Sequence, residues 1–279
     1  MRRSKKTSKK IWTMAATVII LAGVFVILIP LFWMLTTSLK TYAEAENMAW
    51  LPRAPQWANY FTALKAMNFW RALGNTILIT FLAMTGHVFS CALVAYGFSR
   101  LRFPFRDPLF VILLATMMIP GQVTMIPIFI EFKALGWVDT FYPLIVPAFL
   151  GGSAFFIFLL RQFFMTIPTE LDDAARIDGC SHFGIFFKII VPLSKPALLT
   201  VALFSFMYNW NDFMGPLIYL NSPEKKTLAL ALQDFNSLYA VQPHLMMAAS
   251  LVIMLPCLAI FFFAQRYFIK GMVITGVKG

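Results

Sequence analysis

The run Asn209-Trp210-Asn211-Asp212 sets two amides, an indole and a carboxylate side by side within an apolar stretch. A carboxylate at the centre of a lipid-facing helix costs about 2.5–3.5 kcal/mol, so Asp212 is expected to face protein or water. Two readings stay open: a functional group on a pathway, or a residue near the outer interface, hydrogen-bonded across helices with Asn209 or Asn211. His87, alone in another apolar stretch, reads as a satisfied polar residue at a helix contact. A second acidic group, Glu170-Leu171-Asp172-Asp173, lies in a polar segment and is followed by Ala174 and Ala175. No nucleophile–base set accompanies either group, and the histidines form no His-x-x-x-His pair. Cys91, Cys180 and Cys257 are odd in number and widely spaced, which fits neither a disulfide framework nor a metal site. No glycine is followed by lysine, so a Gly-x4-Gly-Lys-[Ser/Thr] phosphate loop is impossible. Catalysis is not expected of this chain.

The elements that position these residues are transmembrane helices. Of 279 residues, 60% are hydrophobic, 13% are charged and 30 are Phe, against roughly 45–50% apolar and about 25% charged in soluble domains. Six apolar spans are predicted, at 11–35, 72–98, 109–130, 141–160, 197–220 and 245–268; each can cross a hydrocarbon core of about 30 Å. Strand-like alternation is absent, so the spans are helices in an all-α, polytopic bundle. The first span follows Lys9 and Lys10 but is too long for a signal h-region. Pro120, Pro127, Pro143, Pro147, Pro216 and Pro256 interrupt the spans, favouring a bundle that bends around a pathway.

Charge sets the topology. The net charge is +11, and its placement argues for membrane orientation rather than nucleic-acid binding. A basic tail at 1–10, the connections holding Arg100, Arg102, Arg106, Arg161, Arg176, Lys188 and Lys195, and an end holding Arg266, Lys270 and Lys278 place sixteen Lys and Arg on one side and seven on the other. By the positive-inside bias both termini are cytoplasmic, in agreement with an even number of spans. Residues 11–279 then form a single permeation domain.

The connection 161–195 is too long for a simple turn and too polar for a span. It reads as two short helices with a hinge. Thr169 is an N-cap candidate, followed by acidic residues where the helix dipole favours them. Leu171, Ala174 and Ala175 form a small apolar face, and Gly179 is placed to end the helix in a left-handed conformation. Ser181 can cap the next helix, in which Phe183, Phe186, Phe187 and Ile190 make an i, i+3, i+4, i+7 stripe. A compact helix before a glycine hinge suits a cleft in a partner, with its acidic turn offering salt bridges. By physics alone, a helix lying on the membrane surface remains the other reading.

At these residues the chain resembles a known family. Asp173-Ala174-Ala175, three residues, Gly179, nine residues, Ile189, one residue, then Val191-Pro192 is similar to the EAA loop of ABC importer permeases, Glu-Ala-Ala-x3-Gly-x9-Ile-x-Leu-Pro. Asp173 stands where the family has Glu, and Val191 where it has Leu. Leu160-Arg161-Gln162-Phe163-Phe164, Trp210-Asn211-Asp212-Phe213, Pro216-Leu217, Asn221-Ser222-Pro223-Glu224-Lys225 and Gln265-Arg266-Tyr267-Phe268-Ile269-Lys270-Gly271 resemble the carbohydrate-uptake subfamily, in its MalG-like half. Likeness covers most of the chain after about residue 70; the first span and 36–71 are generic.

The resemblance implies a type I ABC importer (MetI-like) permease fold in a bacterial inner membrane. It implies a sister permease (MalF-like), two copies of a cytoplasmic ATPase that bind ATP and Mg, and an extracytoplasmic sugar-binding protein. The chain itself would hold no cofactor or metal and would not hydrolyse ATP. Glu170, Leu171, Asp172, Asp173, Ala174, Ala175, Asp178 and Gly179 would dock in the ATPase as a coupling helix. The connection Asn221–Pro243 would reach the binding protein, through Asn221, Pro223, Glu224 and Lys225. Asn209, Trp210, Asn211 and Asp212 are pathway candidates, since amides and an aromatic face suit a polyol's alternating CH and OH surfaces. A glycerol-phosphate permease is the nearest rival, although the spans show no clustered arginines for phosphate. A self-contained secondary carrier would show inverted repeats and more buried ionisable residues; no such repeat is evident.

Overall fold

The computed structural model describes residues 2–236 and 241–273, with side chains described for 12–236 and 241–263. The side chains of the basic 1–10 tail, and of Arg266 and Lys270, lie outside that range, as does Lys278. Among the described residues the chain is helical and has no strand, only one isolated antiparallel bridge, Asn236 to Val241.

In order, the helices are α1 Arg2–Ser38, α2 Tyr42–Glu46, α3 Ala58–Ala66, α4 Phe69–Arg100, α5 Arg106–Thr116, α6 Gly121–Ala134, α7 Tyr142–Phe149, α8 Ala154–Phe164, α9 Glu170–Ile177, α10 His182–Ile185, α11 Val191–Leu193, α12 Lys195–Trp210, α13 Met214–Tyr219, α14 Leu228–Ala231 and α15 Pro243–Val273. A π-helical turn, Phe186–Ile190, joins α10 to α11. Among the described residues four stretches are long and apolar enough to cross a membrane, namely Trp12–Ser38, Phe69–Arg100, Tyr142–Phe164 and Pro243–Phe263. Two bent pairs raise the number to six if each counts as one span.

The first pair departs from the continuous span expected at 109–130, whereas the bend of the second lies just before the span expected at 197–220. The first bends by 98° between α5 and α6. Pro120 there has an extended backbone (φ −60°, ψ 130°) and cannot continue the helix before it. The second bends by 80° between Leu193 and Lys195. Downstream, α12 stops at Trp210 and α13 restarts at Met214, so Asn211–Phe213 is a break inside the predicted fifth span.

The chain divides into two compact units, Met1–Met67 with Leu232–Leu255, and Asn68–Ala231 with Pro256–Gly279. In the first, α1 exposes apolar side chains from Trp12 to Phe32, as a helix clothed by lipid or other helices does. Its far end is tied down. Asn59 Nδ2 donates to the Ser38 and Lys40 carbonyls at 2.9 and 2.8 Å, and the buried Lys40 ammonium sits 4.0 Å over the Trp33 ring. The Thr41–Glu44 capping box starts α2. Backbone N–H groups of Thr41 and Arg53 on its carboxylate hold Glu44 below the usual carboxylate range.

The second unit is built around α4. The buried side of α4 carries small residues, among them Ala83, Gly86, Ser90, Cys91, Ala92 and Ala95, which let α7, α8 and α12 approach closely. At Gly86 a Cβ would sit 2.7 Å from the Phe149 ring and 3.0 Å from the Ala148 carbonyl carbon. One turn on, Ser90 Oγ donates to the Ala148 carbonyl at 2.7 Å. Gly151 (φ +77°) turns the chain from α7 into α8, which Ser153 caps through the Phe156 N–H. One core joins Tyr96 of α4, Leu160 and Phe164 of α8, Ala175 of α9, Ile185, Phe186 and Ile190 of the π-turn region, and Val201 of α12.

Candidate functional site

The segment 165–195 folds as a helix–hinge–helix. Its first part, α9, has eight residues. Thr169 does not cap it as the sequence suggested: its backbone is already helical (φ −73°, ψ −21°) and its side chain accepts no cap bond. The first turn relies on Glu170, Asp172 and Asp173 against the helix dipole. Termination follows expectation. Gly179 has φ +79°, its N–H donates to the Arg176 carbonyl at 3.0 Å, and the Cys180 N–H reaches back to the Ala175 carbonyl at 2.9 Å. Both bonds together form a Schellman cap. Ser181 caps α10 through the Gly184 N–H at 3.2 Å.

Side-chain directions differ from the helical-wheel reading. Ala175 and Asp172 face inward, whereas Leu171, Ala174 and Ile177 are exposed, Ile177 at 87%. The stripe Phe183, Phe186, Phe187, Ile190 splits as well. Phe186 and Ile190 are buried, while Phe183 and Phe187 are exposed. The π-turn widens the helical repeat, so Ile185, Phe186 and Ile190 share the inward face. Phe186 meets the Tyr96 ring at 5.2 Å, and Tyr96 Oη donates to the His182 carbonyl at 3.1 Å.

Asp172 was expected to offer charge to a partner, but it is buried against Arg100, the last residue of α4. One Arg100 terminal nitrogen lies 3.5 Å from Asp172 Oδ2, and the other donates to the carbonyls of Phe164 and Ile167 at 2.5 and 2.6 Å. Phe164 closes α8, where its carbonyl also takes the Ile167 N–H at 3.2 Å, and Ile167 follows in the loop; the guanidinium serves both carbonyls. Asp173, on the outer side, pairs with Arg176 at 3.4 Å, and both belong to the exposed surface together with Glu170, Leu171, Ala174, Ile177, Asp178 and Gly179.

At the α12–α13 break the four pathway candidates have separate surroundings. Asn209 Nδ2 donates to the Ser205 carbonyl at 2.7 Å and its hydroxyl at 3.2 Å. Trp210 is buried and stacks on Phe206, with centroids 5.2 Å apart. Asn211 is exposed and donates to the Met207 carbonyl at 2.7 Å. Asp212 is half-buried, and its Oδ1 accepts the Gly215 N–H at 3.1 Å. That carboxylate holds the restart of a broken helix rather than bonding across helices to Asn209 or Asn211. His87 Nδ1 lies 2.9 Å from Ser205 Oγ, the α4–α12 contact expected of it.

The loop after α13 is stapled to its own chain. Asp139, in the α6–α7 connection, accepts the N–H groups of Asn221 and Ser222 at 3.0 Å each and the Ser222 hydroxyl at 2.5 Å. Lys225 Nζ lies 2.9 Å from Asp139 Oδ2 and also donates to the Asp139 carbonyl. Asn75 of α4 holds the Glu224 and Lys226 carbonyls at 2.9 and 3.0 Å. Of the loop's four candidate contacts, the backbone of Asn221 and the side chain of Lys225 are thus engaged internally, and the Pro223 and Glu224 side chains stay exposed. Residues 237–240, in the remainder of the predicted contact loop, lie outside the described residues.

Comparison with known proteins decides the family. Residues 89–274 match the model of the binding-protein-dependent transport system inner membrane component family. The chain belongs to that family. This permease is similar to the arabinooligosaccharides transport system permease protein AraQ of Bacillus subtilis, 32% identical over 96% of this chain and 97% of that one. It is 34% identical to the polygalacturonan/rhamnogalacturonan transport system permease protein YtcP of the same organism, over 75% of this chain and 77% of the relative. Its fold matches a chain in the crystal structure of a bacterial ABC transporter involved in the import of the acidic polysaccharide alginate, with TM-score 0.80, 25% identity and coverage of 94% and 98%. The permease is a multi-pass inner-membrane component with the MetI-like helical fold anticipated from its EAA-type segment.

Three residues that organise the permease's candidate site escaped sequence reading. Arg100 entered only as a topology charge, and Asp139 and Asn75 not at all. Arg100 offered one signal, an arginine closing a long apolar span. Asp139 offered none, because its partners lie more than 80 residues onward. Among the described residues no group of His, Cys, Asp or Glu could hold a metal ion.

Proposed function

We propose that this chain is one permease subunit of an ATP-driven, binding-protein-dependent importer of a sugar or oligosaccharide. A sister permease completes the pathway, two cytoplasmic ATPase copies bind ATP and Mg, and an extracytoplasmic binding protein delivers solute. Both termini and α9 face the cytoplasm. The observation carrying this reading is α9 itself: a short helix, rigidly terminated at Gly179, whose Glu170, Leu171, Ala174, Ile177 and Asp178 side chains are exposed while Asp172 and Ala175 anchor it inward. Such a knob suits a cleft in a motor subunit. The oligosaccharide assignment rests on the named substrates of AraQ and YtcP. Pro223 and Glu224, exposed at the tip of the stapled loop, are the candidates for binding-protein contact. Asn211, exposed at the helix break, is the candidate solute contact.

Reconstitution tests the proposal. Proteoliposomes holding the chain with its neighbouring permease and ATPase subunits should take up labelled oligosaccharide only when ATP and the binding protein are both supplied. Liposomes holding this polypeptide alone should accumulate nothing. Uptake by the single chain, driven by a proton or sodium gradient, would replace the importer with a secondary carrier.

A further inference from the structure

The Arg100 guanidinium joins three elements. It closes α4, caps the α8 C-terminus through the Phe164 and Ile167 carbonyls, and reaches Asp172 on α9. Both partners of the ion pair are buried, with side chains 2% and 5% exposed. Yet Arg100 Nε and Asp172 Oδ1 each lack a hydrogen-bond partner, and the one charged contact is 3.5 Å long. The two carbonyl bonds are short, so the guanidinium belongs firmly to α4 and α8, while its hold on α9 is single and stretched. Guanidinium and carboxylate are built for two parallel bonds. Here Nη2, the nitrogen common to both guanidinium forks, is spent on the two carbonyls, so Asp172 receives a single contact from Nη1. Beside the pair lies a cleft of about 910 Å³, lined by Arg102, Arg106, Asp173 and Arg176 among others. It leaves α9 room to move against the end of α4.

We infer that Arg100 is a positioning residue of the transport stroke: through Asp172 it passes displacement of α9 to the ends of α4 and α8. The inference rests on the reading of α9 as the helix that docks in the ATPase. Because Nη2 holds the two carbonyls and Nη1 holds Oδ2, a displacement of α9 pulls on the ends of α4 and α8 through one guanidinium. The Tyr96 Oη bond to the His182 carbonyl also ties α4 to this segment, but it reaches α10 rather than α9. Asp173 pairs only within α9, and Ala175 and Phe186 give apolar contacts that can slide.

The test uses the complete transporter in proteoliposomes, carrying a photo-crosslinking amino acid at the exposed position of Ile177. Four readouts are taken: crosslink to the ATPase, ATP hydrolysis, oligosaccharide uptake and ATP consumed per solute imported. With Asp172→Asn and with Arg100→Lys, which keeps a cation but cannot serve two carbonyls and a carboxylate at once, crosslinking and hydrolysis should stay within about twofold of the parent. Uptake should fall at least tenfold, and ATP consumed per solute should rise in proportion. Asp172→Glu, which restores a carboxylate on one more methylene, should recover uptake. Unchanged uptake in Asp172→Asn and Arg100→Lys would overturn the inference, as would loss of crosslink, hydrolysis and uptake together, which marks a merely structural pair. Failure of the parent to crosslink at Ile177 would instead overturn the docking reading of α9.

Discussion

Asp139 and Lys225 form an ion pair at 2.9 Å across 86 residues of sequence, joining the α6–α7 connection to the loop after α13. Around it the Asp139 carboxylate gathers the Ser222 hydroxyl and the N–H groups of Asn221 and Ser222. Its own N–H closes on the Tyr219 carbonyl at 2.7 Å, in a backbone with φ +58°. The loop is therefore a fixed strut.

Donation from the Ser222 hydroxyl, then from the Lys225 ammonium and the two N–H groups, holds the Asp139 carboxyl well below the usual carboxylate range. A carboxyl so depressed adds stability that is complete above its unfolded value of about 3.9 and is lost only as pH falls toward the folded value. Asp139→Asn should therefore speed hydrogen exchange across 219–226 at pH 7. In the unaltered protein, protection there should be equal at pH 7 and pH 5. An exchange step between those two values would count against the staple.

At Gly86 the α4–α7 contact leaves no room for a side chain. A Cβ would meet the movable edge of the Phe149 ring at 2.7 Å, but also the Ala148 backbone at 3.0 Å, which cannot swing aside. Gly86→Val should destabilise by about 1–3 kcal/mol, the usual range for overpacking. Thermal unfolding in detergent reads it, and Gly23→Val, at a glycine with nothing within 4 Å, is the control. An equal effect at both positions would refute the close approach.

What was legible in the chain was local. Gly179 and Ser181 do what their types and spacing imply because a helix end is decided within a few residues. The apolar runs announced helices because, without the alternation of barrel strands, a helix is the backbone that satisfies its own polar groups in lipid. What was illegible was set from far away or by a change of period. Thr169 fits a capping position, yet its neighbours keep its backbone helical. Asp172 turns inward for Arg100, 72 residues earlier, and the Phe183–Ile190 stripe is re-registered by a π-turn. Asp212 left two readings open, a pathway group or a hydrogen-bonded residue near the outer interface, and its bond to the Gly215 N–H was hidden because it depends on α12 breaking just before it.

Gly179 separates conformation from space. Nothing lies within 4 Å of a Cβ placed there, but φ +79° is strained for any other residue. Gly179→Ala should cost about 1–2 kcal/mol of local strain and reduce uptake partially. Gly179→Pro removes the N–H that bonds the Arg176 carbonyl and forbids the positive φ. It should insert in the membrane in normal amounts and import nothing. Quantitative immunoblots of membranes beside uptake assays separate the two effects, and normal import by Gly179→Pro would sink the hinge.

His87 and Ser205 give a measure of how firmly α12 is held to α4. The imidazole Nδ1 and the hydroxyl are 2.9 Å apart and both residues are buried. The same hydroxyl takes a second bond from Asn209, whose amide also holds the Ser205 carbonyl and so keeps a partner when the hydroxyl is removed. Ser205→Ala therefore leaves the imidazole as the one group stranded, at about 1 kcal/mol, the low end for an unpaired buried group. His87→Leu removes the group that needs the bond and should cost less. Interhelical bonds of this kind average about 0.6 kcal/mol in membrane proteins, because the unfolded chain in lipid also finds partners. A double-mutant cycle on detergent unfolding should then return a coupling of roughly 0.6 kcal/mol and no more than about 1.7. Strict additivity of His87→Leu and Ser205→Ala would show that the two helices are held by packing of Ala83, Ala92 and their neighbours, without help from this bond.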